Sequence, residues 1–131
     1  MTPGAESREP TFYDAVGGEA PLRRIVARFY VEVAHDEVLR PLYPEQDLAP
    51  AEERMALFLI QVTGGPRTYA ERRGPPGLRG RHMRFPIGRR ERDAWLRAMR
   101  VAVDESGMDE PDRRQLWEYF ETTAYGLTNR R

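Results

Sequence analysis

An apolar stripe at helical spacing limits the fold of this chain more than any other feature. Between residues 22 and 33 the large apolar side chains recur every three or four positions, at Leu22, Ile25, Val26, Phe29, Tyr30 and Val33. This spacing places them on one face of an amphipathic helix, and Pro21 lies where a first helical turn accepts proline. No segment shows the alternation typical of a half-buried β-strand, so we predict an all-α fold.

Three further segments show the same helical spacing. The first comprises Ala51, Met55, Phe58, Leu59 and Val62. The second comprises Trp95, Ala98, Met99 and Ala102, and the third comprises Leu116, Phe120, Thr123, Ala124 and Leu127. Shorter helical pieces and turns are predicted at residues 11–16 and 36–50. Residues 64–88 are rich in glycine and proline, and we predict a long irregular loop there, which is either disordered or functional.

Length and charge indicate one small domain. With 131 residues, we predict a flexible tail at residues 1–10 and a single domain at residues 11–131. Basic and acidic residues balance at 21 each, which argues against a generally cationic nucleic-acid binder. No apolar run approaches the roughly 20 residues of a membrane span, and the N-terminus lacks the apolar stretch of a signal peptide. We therefore expect a cytoplasmic protein without a membrane partner.

The counts of cysteine and histidine restrict the metal chemistry. Zero cysteines exclude disulfides, cysteine-ligated zinc or iron–sulfur clusters and a cysteine nucleophile, and two histidines exclude a three-histidine site. His35 has a structural interpretation as a cation near a helix C-terminus. His82 stands alone in the long loop, where a site built only from protein ligands is improbable. Haem iron, however, takes four nitrogens from its porphyrin and needs a single axial histidine.

The loop around His82 is strongly basic. Eight arginines and one acidic residue lie between residues 72 and 92. One interpretation is a solvated loop balanced by acidic residues elsewhere, and the other is a site for phosphate or for the carboxylates of a cofactor. Nucleic-acid binding would favour interleaved aromatic residues for stacking, and here only Phe85 qualifies. We therefore expect no nucleic-acid partner.

Three aromatic residues with polar groups have two interpretations. Tyr30 and Trp95 fall on predicted apolar faces, and Tyr43 lies in the segment between the first two long helices. A buried tyrosine or tryptophan usually finds a partner for its O–H or N–H group. The three residues either bond to backbone carbonyls inside the core or converge on a polar ligand in an apolar cavity. The pattern alone favours the first interpretation.

Motifs in the same order along nearly the whole chain resemble those of one protein family. They are Phe12-Tyr13-Asp14-Ala15-Val16-Gly17-Gly18, Arg28-Phe29-Tyr30, Leu42-Tyr43-Pro44, Phe58-Leu59-Ile60-Gln61, Gly64-Gly65-Pro66-Arg67-Thr68-Tyr69, Leu78-Arg79-Gly80-Arg81-His82 and Arg92-Asp93-Ala94-Trp95-Leu96. In residues 12–129 the sequence resembles the group II branch of the truncated haemoglobins. The resemblance implies an all-α, two-over-two helical sandwich that encloses haem b.

The resemblance also implies a role for each matched residue. His82 matches the proximal ligand of the iron, and Tyr30, Tyr43 and Trp95 match distal residues that hydrogen-bond the ligand. Ala51 matches the distal gate position. Residues matched to haem contacts, on the faces or at the propionates, are Arg54, Met55, Phe58, Tyr69, Arg79 and Arg81, and Phe85 close behind His82 is added to them.

The sequence departs from the family pattern at three places. Val62-Thr63 stands where group II members commonly have two large aromatic residues, Pro75 replaces a common histidine, and Gly80 replaces a bulkier apolar residue. Smaller side chains at these positions imply looser packing around the haem or wider solvent access.

The implied function is binding of dioxygen and other diatomic ligands at ferrous iron, suited to ligand retention or redox chemistry. The alternative is a peroxidase-like or nitric oxide-detoxifying enzyme that uses the same haem, although no distal histidine is apparent as an acid–base group. From the residues alone, a haem-free helical module that binds an anionic partner through the arginine loop stays open. A reductase partner is compatible with redox chemistry, and the chain is either a monomer or a homo-oligomer.

Overall fold

The computed structural model describes residues 9–73 and 88–127, and these residues form helices and no strand. The α-helices are α1 (Phe12–Ala15), α2 (Glu19–His35), α3 (Ala49–Val62), α4 (Thr68–Arg73), α5 (Arg89–Asp104) and α6 (Glu110–Leu127), with a 3-10 helix at Arg40–Leu42. The predicted all-α fold is confirmed. Most of the tail predicted at residues 1–10 lies outside the described residues.

Helix α2 is central to the packing of the other helices. It contacts both α3 and α5, and α5 in turn contacts α6. The long helices therefore form two pairs, α2 with α3 and α5 with α6, in the two-over-two arrangement expected from the sequence. The short helix α4 packs on α3. In the described ranges, no helix combines the length and the apolar character needed to cross a membrane.

The apolar stripe predicted for α2 is buried along its whole length. Its buried members are Leu22, Ile25, Val26, Phe29, Tyr30 and Val33. At the solvent edge of the stripe, Arg23 pairs with Glu53 of α3 at 2.8 Å. Because such partly exposed ion pairs contribute little free energy, burial of the stripe is what holds the helices together.

The apolar face predicted for α3 is only partly correct. Ala51 and Leu59 are buried, together with Ala56 and Ile60, but Val62 is 38% exposed. The prediction that Val62 faces the core is wrong because this residue lies in the last turn of α3, beside a surface hollow that it lines. Met55 and Phe58 are half-buried, so α3 has a second apolar face beside the one that packs in the core.

The apolar faces predicted for α5 and α6 agree with the structure in their central turns. Their buried members are Ala98, Met99 and Ala102 on α5 and Leu116, Phe120 and Ala124 on α6. Trp95, Thr123 and Leu127 are only half-buried. The partial burial of Trp95 is relevant to the site described below.

The irregular structure predicted for residues 64–88 is wrong at helix α4. Residues 67–73 contain neither glycine nor proline, so local sequence does not oppose a helix there. The backbone N–H of Ala70 donates to the Gln61 side chain of α3 at 2.9 Å, and Tyr69 is 5% exposed. These contacts stabilise a helix that is too short to form in isolation. Residues 74–87 lie outside the described residues.

Two successive glycines end α3 and make room for α1. Gly64 has a φ of 110°, and the N–H of Gly65 donates to the Ile60 carbonyl at 2.8 Å, as in a Schellman cap. Helix α1 packs against this turn, where the N–H of Tyr13 donates to the Thr63 carbonyl at 2.9 Å. A Cβ atom on Gly65 would lie 2.6 Å from Cε2 of Tyr13, so this position requires glycine.

Replacing Gly65 with alanine should destabilise the protein, because the new methyl group must displace the Tyr13 ring. We expect the free energy of unfolding from urea denaturation to fall by about 1–3 kcal/mol. Gly126→Ala is the control, since a Cβ atom there meets nothing within 4 Å. The free energy of unfolding of that control should rise by up to about 1 kcal/mol, because alanine has a higher helix propensity than glycine. Equal responses of the two variants would contradict the close packing of α1.

Candidate functional site

Two tyrosines meet between α2 and the loop that follows it. Tyr30 lies on the buried stripe of α2 and is 6% exposed, whereas Tyr43 directly follows the 3-10 helix and is half-buried. The two rings pack edge-on with centroids 5.6 Å apart, and the Tyr30 hydroxyl donates to the Tyr43 hydroxyl oxygen at 3.5 Å. The structure thus brings together two of the three residues predicted to donate to a ligand.

Burial keeps both hydroxyl groups protonated. Removal from water raises the pKa of Tyr30 far above its ordinary value, and the neighbouring Tyr43 raises it further. Burial also raises the pKa of Tyr43, against smaller lowering effects from the hydrogen bond with Tyr30 and from the positive charge of Arg54. Two protonated hydroxyls joined by one hydrogen bond retain one O–H that the pair does not use. The pair can therefore donate a hydrogen bond to a third group.

Arg54 on α3 lies close enough to the tyrosine pair to influence both hydroxyls electrostatically. Its Nη2 atom is 3.1 Å from Oε1 of Glu45, so the ion pair joins α3 to the loop after Tyr43. The pKa of Glu45 is lowered, first by a hydrogen bond from its own backbone N–H and then by Arg54. Glu45 could not be predicted from the sequence, because helical spacing carries no information about side-chain direction in a loop. A contact of Arg54 with a haem propionate stays a prediction.

Arg40 also lies near the site and was missed from the sequence. Its guanidinium donates to the carbonyl oxygens of Tyr43, Glu45 and Gln46 at 2.9, 2.7 and 3.0 Å. The only sequence signal was its position three residues before Tyr43, in a segment that contains two nearby prolines. Backbone carbonyls that converge on one side chain leave no recognisable pattern in a sequence.

Trp95 of α5 lies beside the residue that precedes Tyr30. Its ring packs against Phe29 at 5.3 Å and against Phe120 at 5.6 Å, and the side chain is half-buried. Across residues 9–73 and 88–127, no group is hydrogen-bonded to its indole N–H. An indole nitrogen can only donate, so Trp95 has a hydrogen to offer to a ligand.

The second apolar face of α3 lies on the same side of the helix as Ala51. Ala51, Met55 and Phe58 are spaced by four and three residues, which places them along one face. Phe58 packs edge-on against Tyr69 of α4 with centroids 5.3 Å apart. Together with Tyr69, the three residues of this face bring together four positions that were matched to the distal gate or to haem contacts. The face supplies an apolar surface suited to a flat cofactor.

The remaining predicted residues fall outside the part of the chain that the structure describes. They are His82, Arg79, Arg81 and Phe85, together with the departures Pro75 and Gly80. The role of His82 as the iron ligand therefore stays a prediction. The other histidine, His35, is exposed at the end of α2, and its Nδ1–H donates to the Val31 carbonyl at 2.9 Å. This contact agrees with the structural role expected for His35.

Fold and donor groups together define a class of protein. Two pairs of helices, an apolar face on α3, and hydroxyl and indole hydrogens not used among the described residues are the features of a two-over-two globin. The residues present fit a haem group, because its faces require apolar contacts and its ligand requires nearby donors.

Comparison with known proteins gives the family. The profile of the bacterial-like globins matches residues 11–129. The Group 2 truncated hemoglobin YjbI of Bacillus subtilis is 39% identical over 89% of this chain and 87% of that protein. The thermostable haemoglobin from the actinobacterium Thermobifida fusca is 57% identical with a TM-score of 0.89, covering 91% of this chain and 97% of that one. The truncated oxygen-avid haemoglobin from Bacillus subtilis is 39% identical with a TM-score of 0.85, covering 91% and 99%.

The chain therefore belongs to the bacterial-like globin family, within the group II truncated haemoglobins. Haem is the cofactor of these proteins and of this chain. Its function is haem-based binding of small ligands such as dioxygen. The fold class and the cofactor predicted from the sequence are confirmed.

The buried tyrosines should make the protein less stable at alkaline pH. Because burial raises their pKa values, the folded state keeps both protons while the unfolded chain loses them near the ordinary value of about 10. The unfolded state then binds fewer protons, so this stability is fully present below about pH 10 and falls as the pH rises further. Thermal unfolding midpoints between about pH 8 and 11 measure the effect. Tyr30→Phe should weaken the dependence, and an unchanged pH profile would contradict burial of the hydroxyl.

Proposed function

We propose that this globin binds dioxygen and other diatomic ligands and retains them with Tyr30, Tyr43 and Trp95, where the tyrosine pair donates one hydrogen bond to the ligand and Trp95 donates another. The observation that carries the proposal is the tyrosine pair. Its two protonated hydroxyls share a single long hydrogen bond of 3.5 Å, which leaves one O–H to donate to a ligand. Trp95 adds an N–H donor from a different helix.

The haem iron supplies the position at which diatomic ligands bind. We assign His82 as its protein ligand, because the family resemblance matches it to the proximal position and the other histidine, His35, is exposed at the end of α2. Residues proposed to contact the haem are Met55, Phe58 and Phe85 at its faces and Arg54, Tyr69, Arg79 and Arg81 at its propionates. Ala51 is proposed to line the distal entrance, where its small side chain leaves room for ligands.

Ligand retention follows from the number of donors and from their rigidity. A hydrogen bond to an acceptor with negative charge contributes about 1.5–3 kcal/mol, and dioxygen at ferrous haem is such an acceptor. The rings of Tyr30 and Trp95 each pack against Phe29, at 5.1 and 5.3 Å, so little side-chain freedom is lost when a ligand binds. The similarity to a haemoglobin described as oxygen-avid supports retention rather than efficient delivery.

His82→Ala should remove the protein ligand of the iron. We expect the haem-loaded variant to lose the iron–histidine stretching band in its resonance Raman spectrum and to show an altered visible absorbance spectrum. His35→Ala is the matched control, because the Nδ1 contact of His35 with Val31 needs no cofactor. If the spectrum of His82→Ala equalled that of the unmodified protein, the assignment of His82 would be wrong.

Tyr30→Phe, Tyr43→Phe and Trp95→Phe should each speed the dissociation of dioxygen. Loss of about 1.4 kcal/mol of hydrogen bonding corresponds to a tenfold change, so we expect rates roughly tenfold higher in stopped-flow measurements.

Two substitutions of the same chemical kind serve as controls for these rates. Tyr125 is 54% exposed on α6, and Trp117 packs beside the Arg100 guanidinium at 5.0 Å. Tyr125→Phe and Trp117→Phe should leave the dissociation rate unchanged. Rates that stay the same in both Tyr30→Phe and Trp95→Phe would refute the hydrogen-bonding role.

A further inference from the structure

We propose that Arg40 is a positioning residue for ligand binding. Its guanidinium fixes the loop that begins at Tyr43, and thereby the place of the hydroxyl that Tyr43 presents. The inference rests on the proposed function, because it assigns Arg40 an effect on the ligand only through Tyr43.

Three carbonyl oxygens of the loop backbone accept hydrogen bonds from this one side chain. The Nη1 atom of Arg40 donates to the Tyr43 carbonyl at 2.9 Å, and Nη2 donates to the carbonyls of Glu45 and Gln46 at 2.7 and 3.0 Å. Within the described ranges, no backbone N–H donates to these three oxygens. Without the guanidinium, all three carbonyls would have to accept hydrogen bonds from water instead. The loop would then adopt other positions.

The local sequence favours hydrogen bonding of this loop by a side chain. Pro44 follows Tyr43 and has no N–H, so the loop has fewer backbone donors with which to organise itself. The N–H of Tyr43 donates to the Arg40 carbonyl at 3.2 Å, and this bond closes one short turn but does not extend to the carbonyls of Glu45 and Gln46. A planar guanidinium with several fixed donors can hold separate acceptors at once, and an ammonium group cannot reproduce that geometry.

Movement of the loop would displace the hydroxyl of Tyr43. Tyr43 has a rigid ring, and its hydroxyl lies 3.5 Å from that of Tyr30, at the limit of a hydrogen bond. The second tether of the loop is the ion pair between Glu45 and Arg54, whose side chains are 38% and 37% exposed. Because such exposed pairs contribute little, the three hydrogen bonds of Arg40 carry most of the positioning.

Arg40→Met tests this role, because methionine retains an apolar stem of similar length and removes every donor. We expect the dioxygen dissociation rate to rise about threefold to tenfold, as for weakening one hydrogen bond to the ligand. The stretching frequency of carbon monoxide in the ferrous protein should shift in the direction produced by Tyr43→Phe. Arg40→Lys should restore part of both properties, because one ammonium can satisfy some of the carbonyls.

Arg113→Met separates positioning from a general loss of stability. Arg113 donates to the Met108 carbonyl at 2.8 Å in the turn before α6, so this variant also loses a guanidinium–carbonyl bond. We expect a lower thermal unfolding midpoint in both arginine variants, but a changed carbon monoxide frequency only in Arg40→Met. Equal frequencies in Arg40→Met and the unmodified protein would overturn the inference.

A double-mutant cycle tests whether Arg40 acts through Tyr43. In the Tyr43→Phe background, Arg40→Met should have no further effect on the dissociation rate, because the hydroxyl that it positions is absent. A full additional effect in that background would overturn the positioning role while leaving the proposed function intact. If Tyr43→Phe itself left the rate unchanged, the hydrogen-bonding role of Tyr43 in the proposed function would fail instead.

Discussion

A hydroxyl group buried on an apolar helix face must find a hydrogen-bond partner, and this requirement links the fold of the chain to its site. Burial of the α2 stripe between α3 and α5 stabilises the helix packing, and Tyr30 is part of that stripe. The hydroxyl of Tyr30 is therefore buried whenever the protein folds. An unpartnered hydroxyl there would cost roughly 1–3 kcal/mol, so the loop that supplies Tyr43 contributes to folding in addition to the role in ligand binding proposed for it.

The position of that loop is determined by elements on either side of it. Arg40 holds its backbone from the 3-10 helix, and Arg54 reaches Glu45 from α3. The other end of α3 is held where its terminal glycines pack against α1. Helix α3 therefore contacts the core through one face, and through Arg54 it contacts the loop that carries Tyr43.

The helical repeat of apolar residues predicted which helix faces are buried. It could not predict in which direction the side chains of the loops point. Every residue of the α2 stripe was predicted correctly, because these residues recur with the helical period and therefore lie on one buried face. Val62 was misassigned because the same repeat continues into the last turn of α3, where the side chain lines a surface hollow instead of packing in the core. Helix α4 was missed because it has only six residues and its hydrogen bond with Gln61 of α3 is a tertiary contact that local sequence does not show. In the site, the resemblance assigned a distal role to Tyr30, Tyr43 and Trp95, which stays a prediction, and no pattern could predict that one arginine would bind three loop carbonyls.

Sharing one hydrogen bond between two tyrosines has a consequence that a single tyrosine would not have. A lone buried hydroxyl that is bonded to a backbone carbonyl would have to break that bond before it could donate to a ligand. In the pair, one hydroxyl satisfies the other as an acceptor, and the second hydrogen remains for the ligand. The bond between the tyrosines would therefore persist in the proposed role, when a ligand accepts the second hydrogen. In that role, ligand affinity would depend on how accurately the two hydroxyls are placed, and we propose that Arg40 fixes the loop that carries one of them.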